Sequence, residues 1–175
     1  YVIKLLKSII FENNTIRFDN GCQNTAGLLV DFTSLSYVTE QQIYNTTFIK
    51  CSGTSDSTTG ICIKNNNAAS SIIVCECTFD NCFKSNFYVI NVASQNVIIE
   101  GSNFSFSTND KSKSCAAIKS NSESISIIHN TFTNITNRGI DLYELNQEVN
   151  DHNFTLSYNR FTGCQPSSGS FIWHF

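Results

Sequence analysis

Apolar residues recur along this chain in a short motif that comes round six times. With Ile16, Phe48, Phe79, Phe104, Phe132 and Phe161 taken as anchors, successive spacings are 32, 31, 25, 28 and 29 residues. Seven and five places before each anchor stand Ile9 and Phe11, Gln41 and Ile43, Ile72 and Val74, Val97 and Ile99, Ile125 and Ile127, Phe154 and Leu156. Only Gln41 breaks the apolar rule, so this alternation predicts a β-strand with one face inward in every repeat. Two places before the anchors sit Asn14, Thr46, Cys77, Ser102, Asn130 and Asn159. Three places after them sit Asp19, Cys51, Cys82, Ser107, Ile135 and Cys164. The step from the strand to the small polar position is odd, which breaks the period of two. The chain must turn a corner there before it can aim the anchor inward again.

A further short apolar stretch lies between successive motifs: Leu28-Leu29-Val30, Ile61-Cys62-Ile63, Tyr88-Val89-Ile90, Ala116-Ala117-Ile118, Gly139-Ile140-Asp141-Leu142 and Phe171-Ile172-Trp173. Each repeat then holds about three strands, and no segment has a helical period of useful length. The pattern predicts an all-β chain: a right-handed parallel β-helix of about six coils of 25–33 residues, with residues 1–175 forming a single segment. Coils stacked about 4.8 Å apart would set like residues over one another as ladders, with Ile16, Phe48, Phe79, Phe104, Phe132 and Phe161 as the core ladder. A sandwich would not repeat one motif six times, propeller blades are longer, and the leucine-rich spacing is absent.

Composition narrows the function classes. The net charge is −3, and Arg occurs only at Arg17, Arg138 and Arg160, so no basic face exists to neutralise nucleic-acid phosphates. No apolar run approaches the roughly 18 residues of a spanning helix. The opening Tyr1-Val2-Ile3-Lys4-Leu5-Leu6-Lys7 is too short and interrupted for a signal peptide, and Met is absent, which reads as a piece of a longer solenoid. The apolar stretch Ser170–Phe175 has no polar cap, so further coils or another chain are expected to cover that end.

The eight cysteines leave two readings open. An even number suits disulfides in an oxidising compartment, whereas thiols are also ordinary core residues. Cys51 and Cys82 share one position on adjacent coils, within Cα range of a disulfide but with side chains pointing the same way. N-glycosylation sequons stand at Asn13, Asn45, Asn103, Asn134 and Asn153, about the number that chance gives in so Asn-, Ser- and Thr-rich a chain.

The repeat resembles the parallel β-helix repeats of pectin-lyase-like proteins, and most of all those of polymorphic outer-membrane proteins and similar protozoan surface proteins. The residues that carry the resemblance are Phe-x-x-Cys at Phe48–Cys51, Phe79–Cys82 and Phe161–Cys164, together with Cys115-Ala116-Ala117-Ile118, Gly60-Ile61-Cys62-Ile63 and Gly139-Ile140. The family's Phe-x-x-Asn and Gly-Gly-Ala-Ile elements are both altered here. The resemblance implies an adhesin-like or passenger-like surface module.

Catalysis in such a fold would need paired carboxylates, or acidic calcium ligands with a basic residue. Asp141, Glu144, Glu148 and Asp151, beside His152, read as a solvated loop. Glu76, Glu100 and His129, taken at one corner position on three successive coils, would stack as an exposed ladder and offer metal ligands. The same corner carries Asn13, Asn45 and Tyr158 elsewhere, which favours a plain outward turn. Thr15, Thr47, Thr78, Asn103, Thr131 and Arg160 form an outward row; unbroken Thr rows suit ice, but Asn103 and Arg160 interrupt this one. The polar loops 52–59, 64–71, 107–114 and 144–153 would project from the scaffold and carry binding.

The expectation is a non-enzymatic structural or adhesive module, extracellular or at the cell surface. It would meet a protein or glycan ligand, without cofactor, metal, nucleic acid or membrane span. Two alternatives stand beside it: a carbohydrate-active enzyme fragment, and an intracellular assembly component with all thiols free.

Overall fold

The computed structural model describes residues 2–3, 8–17, 28–31, 40–49, 61–64, 71–82, 88–105, 116–135, 140–143, 153–165 and 172–174. Among them every regular element is a strand. In chain order these are β1 (Val2–Ile3), β2 (Ser8–Glu12), β3 (Thr15–Arg17), β4 (Leu28–Asp31), β5 (Glu40–Tyr44) and β6 (Thr47–Ile49). There follow β7 (Ile61–Lys64), β8 (Ser71–Cys75), β9 (Thr78–Asp80), β10 (Tyr88–Glu100), β11 (Asn103–Ser105) and β12 (Ala116–Ile128). The last are β13 (Thr131–Thr133), β14 (Ile140–Tyr143), β15 (Asn153–Ser157), β16 (Arg160–Thr162) and β17 (Ile172–His174). No helix among the described residues is long and apolar enough to cross a membrane.

Every pairing is parallel, and the strands form two sheets. One has 11 strands and contains the path β1-β4-β7-β10-β12-β14-β17 together with β2, β5, β8 and β15; the other runs β16-β13-β11-β9-β6-β3. Each strand therefore pairs with its counterpart one repeat away, as a parallel β-helix requires. The registers agree with the motif: Ile16 faces Phe48, Phe48 faces Phe79, Phe79 faces Phe104, Phe104 faces Phe132 and Phe132 faces Phe161.

One expectation changes. Two short strands were foreseen around Tyr88–Ile90 and Val97–Ile99, and two more in the next repeat. Instead β10 and β12 each run unbroken for 13 residues. The stretch between holds neither Gly nor Pro, and Asn91–Ser94 pairs in register with Lys119–Ser122, so nothing interrupts the ladder.

The alternation seen in sequence is alternation of burial. β5 and β8 read outward-inward along their length, with Ile43, Ile72 and Val74 buried, and β10 and β12 bury Val97, Ile99, Ile125 and Ile127. Phe48, Phe79, Phe104 and Phe132 are fully buried, and their rings stack at 4.9–5.0 Å with interplanar angles of 4–9°. Phe161 continues the stack at 4.9 Å but is 42 % exposed, and Ile16 is partly buried. Each buried Phe contributes roughly 1.5–3 kcal/mol of transfer free energy, and offset stacking adds to it. Both sheets contribute to one core cluster, which includes Ile118 and Ile140 from β12 and β14.

Candidate functional site

The corner is the most detailed polar feature of the molecule. The residue three places before each anchor has left-handed backbone: Asn13, Asn45, Glu76, Gly101, His129 and Tyr158 have φ between 42° and 59°. Its amide donates across to the next repeat, as in Glu76 N–H to Glu100 O at 2.9 Å and His129 N–H to Ser157 O at 3.1 Å. The following residue points inward, and its own amide would be orphaned in the core. The side chain of the neighbouring repeat meets it: Cys77 N–H donates to Ser102 Oγ, Ser102 N–H to Asn130 Oδ1, and Asn130 N–H to Asn159 Oδ1, at 3.1, 2.9 and 2.9 Å. The donor ends reach carbonyls, with Asn130 Nδ2 to Ile99 O at 2.8 Å and Asn159 Nδ2 to Ile127 O at 2.7 Å. A small side chain that both donates and accepts is therefore what this position demands.

The cysteines fit the same scheme. Cys77 Sγ donates to Ile43 O at 3.5 Å and Cys75 O at 3.3 Å. Three places after the anchor, Cys82 Sγ reaches Phe48 O at 3.2 Å and Cys164 Sγ reaches Phe132 O at 3.4 Å. The Phe-x-x-Cys element thus hooks a thiol onto the anchor carbonyl of the preceding repeat. Cys75, Cys77 and Cys164 are free thiols. Burial pushes the Cys77 thiol up to about 11, against a backbone hydrogen bond with Thr46 that lowers it. Cys164 is raised by burial, and Cys75 by burial and by the carboxylates of Glu76 and Glu100. These thiols stay protonated at neutral pH and are poor nucleophiles. Cys51, the foreseen partner of Cys82, lies outside the described residues.

The supposed Glu76–Glu100–His129 ladder is corrected by register. Glu100 pairs with Cys75 and Ile128, one place before the corner, and Gly101 occupies the corner itself. His129 still approaches Glu100, Nδ1 to Oε1 at 3.8 Å, with both side chains about half exposed, and its ring stacks on Tyr158 at 5.0 Å. The sequence pattern sets Tyr158 at this corner, but the stacking of its ring on His129 has no periodic signature. No group of three or more His, Cys, Asp or Glu among the described residues is placed to hold a metal ion. Of the acidic loop cluster only Asp141 is described, as part of β14; Glu144, Glu148, Asp151 and His152 lie outside, as does nearly all of each loop foreseen to carry binding.

All five sequon asparagines are exposed. Asn13 and Asn45 stack at one corner, Asn45 Nδ2 donating to Asn13 Oδ1 at 2.8 Å. Asn103 lies in the outward row of the six-stranded sheet, Asn134 in a second left-handed corner with φ 57°, and Asn153 at the start of β15. The outward row itself runs Thr15, Thr47, Thr78, Asn103, Thr131, Arg160 in register, flanked by Arg17 and Asp80. No family model, no curated protein and no solved structure matches this chain.

Proposed function

We propose that this chain is a segment of a right-handed parallel β-helix of the pectin-lyase-like kind, about six coils long, and that it serves as a non-enzymatic presenting scaffold of an extracellular or cell-surface protein. The observation that carries this reading is how the repeated polar groups are used. The corner side chains of Ser102, Asn130 and Asn159 and the thiols of Cys77, Cys82 and Cys164 are spent on backbone groups inside the stack. The five sequon asparagines all face solvent, where glycans can be carried. A protein or glycan ligand would meet the outward faces and the loops between strands, and further coils or another chain would cover the C-terminal end.

The test is surface labelling of native material with a membrane-impermeant amine reagent, followed by intact mass with and without reduction. Labelled protein bearing hexose on Asn supports the reading. Unlabelled protein with bare Asn and eight free thiols overturns it in favour of an intracellular assembly role. Release of reducing ends or unsaturated products from acidic polysaccharides would overturn it in favour of a carbohydrate-active enzyme.

A further inference from the structure

The outward face of the 11-stranded sheet, over β2, β5, β8, β10, β12 and β15, is unusual in what it exposes. Here Ile10 is 63 % exposed and Ile98 37 % exposed, and Ile73, Tyr44, Cys75 and Ile128 are partly exposed beside them. Register sets them in rows: Ile73 pairs with Ile98, Tyr44 with Cys75, and Glu100 with Ile128, while Ile10 lies in the row of Ile73 and Ile98 with Gln42 between. Exposed aliphatic residues grouped in this way mark interaction surfaces rather than ordinary solvent faces.

Among the described residues the rim carries carboxylates. Glu12, Glu40, Glu76 and Glu100 are all exposed along it. No Lys or Arg occurs in β2, β5, β8 or β15, or in the Asn96–Glu100 and Ser124–Ile128 stretches that pair with them. The cationic group facing this rim among the described residues is His129, when protonated, against Glu100. A second copy placed face to face would bring carboxylates against carboxylates, which disfavours self-association here. The complementary partner has an apolar stripe bordered by Lys or Arg.

We infer that this face docks a basic amphipathic helix, its aliphatic stripe laid over Ile10, Ile73 and Ile98 and its cations over Glu12, Glu40 and Glu100. The proposal rests on the reading of the chain as a presenting scaffold. The two fail separately, because surface labelling and glycan mass do not depend on peptide affinity.

The test titrates the 175-residue chain into a fluorescent synthetic helix of leucine and lysine with one apolar face, and into the same helix with glutamate for lysine, following anisotropy. Binding of the lysine helix alone is expected, weakening with added salt. The double variant Ile10→Ser/Ile98→Ser should weaken it by about tenfold with circular dichroism unchanged, because both residues point outward. Glu12→Gln/Glu100→Gln should weaken it severalfold and flatten the salt dependence; this pair carries the test if the isoleucine variant does not fold. Equal binding of both helices, no binding of either, or affinity indifferent to these substitutions overturns the proposal. A concentration-dependent dimer in sedimentation that Ile10→Ser/Ile98→Ser abolishes also overturns it, the occupant then being a second copy.

Discussion

Asn130 accepts from the Ser102 amide and donates to the Ile99 carbonyl, both in the buried corner. Asn130→Ala leaves both groups unpaired away from water and is expected to lower unfolding free energy by about 2–3 kcal/mol in urea melts. Asn130→Ser should lose less, since Ser102 fills the same place one repeat earlier. Gln41 is the converse case. It is 1 % exposed, and neither its amide nitrogen nor its oxygen has a partner among the described residues. Gln41→Leu is expected to raise stability by roughly 1–3 kcal/mol in the same assay. Cys77 sets a pH dependence. Its folded value is raised from 9.0 to about 11, so its contribution is complete below pH 9 and is lost as pH climbs through about 11. Melts across that window should fall, and Cys77→Ser should flatten the fall. The sequence made the corner row visible as small polar residues. It did not reveal that Cys belongs there because a thiol can hydrogen-bond like a hydroxyl. Glu100 was drawn to the corner by its chemistry, whereas Gly101 holds it by its backbone.

At the scale of elements, the three-residue strands β6, β9, β11 and β13 are held by one ring each. Phe104 lies between Phe79 and Phe132, fully buried. Phe104→Ala should cost about 3–5 kcal/mol, whereas Phe161→Ala should cost clearly less, Phe161 being 42 % exposed. The second corner makes a sharper demand. Gly163 has φ 64°, and a Cβ there would run into the Asn134 side chain. Gly163→Ala is expected to destabilise by about 1–2 kcal/mol, measurable as a lowered melting temperature. The alternating strands, the anchors and the turn before each anchor were legible because burial imposes a period. The fusion of two strands into β10, and again into β12, was not. It depends on backbone pairing across Asn91-Val92-Ala93-Ser94, whose polar and apolar residues do not alternate and so give no signal of inside or outside.

For the molecule as a whole, strands meet their counterparts one repeat away, so stability is passed between neighbours. Hydrogen exchange should accordingly be slowest in β8, β9, β11 and β13, whose residues pack on both sides, and fastest in β2, β3 and β16. Uniform protection across all of these would contradict the nearest-neighbour picture. The outward apolar face was hidden in the sequence for a related reason. Alternation identifies which residues enter the core, and Ile10, Ile73 and Ile98 look like a break in the polar half of that pattern until register sets Ile73 beside Ile98 and Ile10 in the same row beyond Gln42.

The anchors stay in register although their spacing varies from 25 to 32 residues. Differences in length are therefore absorbed outside the paired positions, and each repeat offers its neighbour the same Phe ring and corner hydrogen bonds whatever lies between. A gene encoding such a chain can gain or lose a whole unit by unequal crossing-over without needing compensating changes elsewhere. The segments between units are then free to diverge under selection while the stack endures, so relatives of this protein should differ first in their number of repeats and in the polar tracts between anchors.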